Sequence, residues 1–116
     1  MDAAAASRRY QARPGRRAVV AASLSALHGP ASGKHVLPLR LYWSPPGRVF
    51  DLDDAGSVQS MYRYVLNEAI REDELAEHLD GERLAAVWPA LILPRGVRRA
   101  WEEQHPQLAA ASAAAA

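Results

Sequence analysis

The stretch Val58-Gln59-Ser60-Met61-Tyr62-Arg63-Tyr64-Val65-Leu66-Asn67-Glu68-Ala69-Ile70 decides the fold. Val58, Met61, Tyr62, Val65, Leu66, Ala69 and Ile70 recur at i, i+3, i+4, i+7, i+8, i+11 and i+12. That spacing puts them on one stripe and predicts an amphipathic helix of about four turns. Asp53, Asp54 or Ser57 can accept from the free N–H groups of its first turn, where a carboxylate also suits the helix dipole.

Upstream of this helix the period changes to two. Leu37, Leu39, Leu41 and Trp43 point one way, while Val36, Pro38, Arg40 and Tyr42 point the other, the pattern of a half-buried strand. Pro38 has no N–H for a ladder, so this strand belongs at an edge or turns the Pro38 nitrogen away from its neighbour. Ser44-Pro45-Pro46-Gly47 is a turn signal. The chain then returns, and a β-hairpin of about 35–43 and 48–52 is expected. Val20, Leu24 and Leu27 lie at i, i+4 and i+7 and predict a short helix stopped at Gly29-Pro30, followed by a loop from Ala31 to Lys34.

Downstream, two short helices are expected. Glu72 to Asp80 buries Leu75 and Leu79 and stops at Gly81; Glu82 to Trp88 buries Leu84, Val87 and Trp88 and stops at Pro89. Ala90 to Leu93 reads as a short strand or a buried connector. Pro94 opens a last helix to about His105, with Val97 and Trp101 inward, and Pro106 ends it. The expected fold is therefore α+β: the hairpin packed with a long amphipathic helix and three or more short helices.

A chain of 116 residues has room for one domain. Residues 1–17 read as a disordered basic arm, 18–106 as the folded domain, and 107–116, nearly all alanine, as a disordered tail. A domain this small buries little surface, which makes a homodimer or a protein partner the default expectation.

Charge is uneven along the chain. The arm carries Arg8, Arg9, Arg13, Arg16 and Arg17 against Asp2, whereas residues 51–83 carry ten acids and three arginines. An acidic body argues against a broad nucleic-acid surface and leaves the arm as the place where nucleic acid could bind. The absence of cysteine removes disulfides, thiolate metal sites and thiol nucleophiles, and is compatible with the cytoplasm. No apolar run approaches the roughly 20 residues that span a bilayer, so no membrane role is expected. Ser7-Arg8-Arg9 and Arg16-Arg17 precede the weakly apolar Ala18 to Leu27. Export through a twin-arginine-like signal is the alternative, although bulky apolar residues do not follow either pair.

Val49-Phe50-Asp51-Leu52-Asp53-Asp54 is similar to the first motif of haloacid-dehalogenase-type phosphatases, which would make Asp51 and Asp53 a Mg²⁺-binding pair in a small hydrolase. Ala55 stands where that family has threonine, and Pro45-Pro46-Gly47 interrupts the preceding strand. The 62 residues after Asp54 are too few for the family's doubly wound sheet. Capping of the following helix is the preferred reading, and no metal or cofactor is expected. His28, His35, His78 and His105 are scattered, with no i, i+4 pair, and read as surface or helix-end residues. Residues 72–88 could imitate a helix-turn-helix, but a duplex groove would repel so acidic a segment.

Arg95, Arg98 and Arg99 lie at i, i+3 and i+4 on the last helix. The stripe could grip a phosphate or an acidic partner. The preferred reading is a solvated helix face with weak Arg98–Glu102 and Arg99–Glu103 pairs, and the stripe remains the best candidate for a contact surface on the folded part. These three residues are the leading contact candidates, joined by Arg40 and Tyr42 on the strand's outer face.

Leu39-Arg40-Leu41-Tyr42-Trp43-Ser44, Phe50-Asp51-Leu52-Asp53-Asp54, Met61-Tyr62 with Val65-Leu66, Trp88-Pro89 and Leu93-Pro94-Arg95-Gly96-Val97-Arg98-Arg99-Ala100-Trp101-Glu102 together resemble a group of short uncharacterised proteins of high-GC bacteria. That group is associated with neighbours resembling abortive-infection nucleotidyltransferase toxins. The resemblance spans about residues 24–106, brings no catalytic pattern, and implies an antitoxin-like or accessory role. The expected function is a non-enzymatic protein-interaction module. Nucleic-acid binding through the arginine arm and metal-dependent hydrolysis by Asp51 and Asp53 are the alternatives.

Overall fold

A computed structural model describes residues 11–13, 16–42 and 49–115. The decisive stretch forms helix α1, Ala55–Glu68, with Asp54 at its N-cap and the Asp54 side chain accepting from Ser57 N–H at 2.9 Å. Val58, Met61, Tyr62, Val65 and Leu66 are buried along it. The stripe ends one residue early: the helix stops at Glu68, so Ala69 is still buried but Ile70 turns out to solvent.

The hairpin is antiparallel and shorter than its periodicity implies. Strands β3 (Lys34–Val36) and β4 (Val49–Asp51) pair with His35 opposite Phe50. The first strand ends at Val36 instead of Trp43, because the chain turns at Pro38, whose carbonyl accepts from both Leu41 and Tyr42 N–H. Leu37 and Leu41 are buried, as alternation predicts, but Leu39 sits on the turn and is exposed. Residues 43–48, including Trp43 and the Ser44–Gly47 turn, lie outside the described residues. Ahead of the hairpin, β1 (Gln11–Arg13) and β2 (Arg16–Arg17) make a minimal antiparallel pair in the segment read as a disordered arm.

The short helix expected over Val20–Leu27 reduces to one 3-10 turn, Leu24–Ala26, capped by Ser23. This segment bonds to distant backbone instead of to itself. His28 N–H donates to the Ala76 carbonyl, Gly29 N–H to Leu79, and Gly81 N–H to Leu27. Gly29 is thereby pressed against the end of helix α2 (Glu72–His78): a Cβ there would lie 2.5 Å from the His78 carbonyl carbon. The glycine is required by close approach, not as a helix cap.

Helix α3, Gly81–Val87, starts at Asp80, whose side chain accepts from Arg83 N–H. The Arg83 guanidinium donates to the carbonyls of Ala31 and Leu52, so it ties the helix to both ends of the hairpin. A second 3-10 turn, Trp88–Ala90, precedes a connector that pairs with no strand among the described residues, in which Leu91 is buried and Ile92 exposed. Pro94 then opens helix α4, Arg95–Gln104, with Val97 and Trp101 buried.

The alanine-rich segment read as a disordered tail is instead helix α5, Pro106–Ala115. Pro106 occupies a first-turn position, where no N–H is needed, and Leu108 is fully buried. The core joins Phe50, Tyr62, Trp88, Trp101 and Leu108 to the aliphatic stripe of α1. None of the helices among the described residues is long and apolar enough to cross a membrane.

Candidate functional site

The three arginines of the α4 stripe have different environments. Arg98 is turned inward and works as a structural hub. Its guanidinium lies 4.9 Å from the centre of the Trp88 ring and donates to the Trp88 and Leu91 carbonyls. It also reaches Glu102 Oε2 at 3.3 Å and Ser112 Oγ at 3.2 Å. The same Glu102 oxygen accepts from Trp88 Nε1 at 2.9 Å and from the Ser112 hydroxyl at 2.7 Å. Burial pushes the Glu102 carboxyl up, but the Trp88 and Ser112 hydrogen bonds and the Arg98 charge outweigh it and hold the pKa below the ordinary value. Arg98 therefore fixes α4, α5 and the Trp88 turn to one another.

Arg95 and Arg99 make no ion pair with any described residue. Both line an open groove of about 800 Å³ with Gly96, Arg98, Glu102, Glu103 and Ala109, between α4 and α5, and of these three arginines Arg98 is the one whose donors are already engaged among the described residues. Two guanidinium groups on a braced helix present fork-shaped donors to a carboxylate or phosphate, while Glu103 on the same wall disfavours a purely anionic occupant.

Arg40 and Tyr42 do not share an outer strand face, because the strand ends before them. Arg40 Nε donates to Glu74 Oε2 at 2.8 Å, its Nη2 reaches the same oxygen, and Nη1 donates to the Glu68 carbonyl at 3.3 Å. Glu74 Oε1 accepts from Ile70 and Arg71 N–H, which have no other acceptor among the described residues at the start of α2. Burial raises the Glu74 pKa, and Arg40 together with the two N–H groups brings it below its ordinary value. Tyr42 packs against Tyr64 with ring centres 4.4 Å apart and against Phe50 at 5.5 Å. Both residues thus hold the hairpin to the helices.

Arg8 and Arg9 lie outside the described residues. Arg13, Arg16 and Arg17 are placed by backbone alone, in β1 and β2. Asp51 accepts from Asp53 N–H at 3.0 Å and pairs with Lys34 at 3.1 Å, and these interactions lower its pKa. Among the described residues, no three histidine, aspartate or glutamate side chains converge as a metal set.

One pairing had no signal in the sequence. His35 Nε2 and His78 Nδ1 lie 2.9 Å apart, linking the hairpin to the end of α2. Burial lowers the pKa of both, against the raising influence of Glu77. The residues stand 43 positions apart, and only the fold brings them together. His105 is also buried, with Nε2 donating to the Ala21 carbonyl at 2.7 Å. No family model matches the chain, and neither the curated proteins nor the solved structures compared with it give a match.

Proposed function

We propose that the chain is a non-enzymatic protein-interaction module whose α4 groove receives a carboxylate-bearing segment of a partner protein. The observation carrying this reading is the division of labour on α4. Arg98 braces the helix, whereas Arg95 and Arg99 are left facing the groove without an ion pair among the described residues. Preorganised guanidinium groups lose less freedom on binding than mobile ones, which favours a specific contact. The resemblance over residues 24–106 suggests the particular form, an antitoxin-like partner of a nucleotidyltransferase.

The test is co-purification with the product of the adjacent gene, using the wild-type chain and an Arg95→Glu/Arg99→Glu variant. Capture by wild type and loss in the variant are expected. Capture that survives both charge reversals would overturn the reading, as would a wild-type chain that captures nothing.

A further inference from the structure

The two outer edges of the β3–β4 hairpin differ. Its register is Lys34 opposite Asp51, His35 opposite Phe50 and Val36 opposite Val49. Leu52 N–H donates to the Gly33 carbonyl at 2.7 Å. This bond makes Lys34–Asp51 and Val36–Val49 non-bonded pairs and His35–Phe50 the bonded one. The backbone N–H and C=O groups of Lys34 and Val36 therefore point away from β4. Those of Val49 and Asp51 point away from β3, where Asp51 N–H is met by Ser57 Oγ at 2.8 Å. On the β3 side, no described residue meets the outward groups of Lys34 or Val36. Phe50 is buried and His35 half-buried, whereas Val36 and Val49 are 53% and 54% exposed.

We propose that the open edge of β3 pairs, antiparallel, with β3 of a second copy of this chain, joining two hairpins into one sheet about a twofold axis at His35. The outward groups sit one residue to either side of His35. With His35 opposite His35 of the second copy, Lys34 of each chain faces Val36 of the other. Both pairs then exchange two hydrogen bonds, and every outward group of both strands is satisfied. The edge is complementary to itself, as an isologous interface demands. The Lys34 stem can lie along the exposed Val36 of the second copy while its ammonium stays with its own Asp51. Uncovered valines beside an open edge are a feature that lone sheets avoid.

Sedimentation velocity on the full chain, from about 1 µM to about 1 mM, reads this directly. Wild type should pass from monomer to dimer. Val36→Pro removes an outward N–H but no bond within the hairpin, and should raise the dissociation constant roughly 30-fold, from one lost bond per copy. Val36→Lys sets an ammonium opposite Lys34 of the second copy and should weaken the dimer about fivefold, whereas Val36→Glu sets a carboxylate there and should keep or tighten it. A monomer at every concentration would overturn the proposal, and so would equal weakening by the Lys and Glu variants. Circular dichroism checks that each variant is folded, and the Lys/Glu comparison decides if the proline variant is not. Arg95→Glu/Arg99→Glu should leave the dimer intact, so failure of the groove reading is separable from failure of this one.

Discussion

His35 on the hairpin and His78 at the end of α2 share a hydrogen bond of 2.9 Å, in which one ring donates and the other accepts. Doubly protonated rings have no acceptor to offer, so the bond exists only while at least one ring is neutral.

This makes stability depend on mild acid. Burial lowers both pKa values from the ordinary 6.5, so below that value the unfolded chain binds protons that the folded chain resists. The stabilisation is complete above about pH 6.5 and is lost as pH falls toward the depressed folded values. Thermal unfolding followed from pH 7.5 to about pH 5 should show a falling Tm. A His35→Asn/His78→Gln variant should show a flatter profile over the same interval. Glu74 and Glu102 have lowered pKa values as well, and their contributions should be lost only at lower pH, as it falls below the ordinary 4.5.

Arg98 and Arg99 are adjacent in sequence and opposite in consequence. Arg98→Ala would strand the Leu91 carbonyl, leave the Trp88 carbonyl with the Leu91 N–H alone and remove the cation from Glu102, a loss of about 2–3 kcal/mol. Arg98→Lys should recover little of it, since an ammonium cannot span those acceptors. Arg99→Ala should stay within about 0.5 kcal/mol of wild type. Urea denaturation of the three variants checks the ranking.

Three glycines should respond in two directions. An alanine Cβ at Gly29 would press on the His78–Leu79 backbone, and one at Gly81 on the Leu24 carbonyl. Each should cost about 1–3 kcal/mol, because the obstacle is main chain that cannot rotate aside. At Gly56 the added methyl meets Asp54 only at 3.5 Å. Gly56→Ala lies in the first turn of α1 and should stabilise by a few tenths to about 1 kcal/mol. Tm differences among the three alanine variants test the contrast.

Leu108 is the only large apolar side chain of α5 and is fully buried. Leu108→Ala should cost about 2–5 kcal/mol, whereas Ala110→Ser, on the exposed side, should cost little. Loss of Trp fluorescence shift in urea provides the readout.

How much of this was legible in the sequence depended on how local the cause was. Helix α1 and its Asp54 cap were legible because periodicity and capping act within a few residues. Pro94 was legible as a helix start, whereas Gly81, read as the stop of a helix reaching Asp80, is the first residue of α3: α2 ends at His78 and Asp80 caps the next helix. The alternation from Leu37 to Trp43 overran the real strand, since Pro38 ends the ladder and bonds two later N–H groups into a turn. Val20, Leu24 and Leu27 kept helical spacing, yet their segment bonds to Ala76 and Leu79 across the fold. Helix α5 was hidden because a single leucine among alanines shows no period. On α4 the arginine spacing was visible, but the inward role of Arg98 depends on Trp88 and Ser112, which approach only in three dimensions. The His35–His78 link is hidden for the same reason.

The bond from Ser112 to Glu102 also bears on the order of events during synthesis. Trp88 and Arg98 converge on a carboxylate whose last donor lies ten residues further along the chain. On a translating ribosome, α1 to α4 can emerge and begin to collapse, but this network cannot close until Ser112 has cleared the exit tunnel. The nascent chain should therefore hold its tryptophan-rich end open to chaperones until synthesis has passed α5.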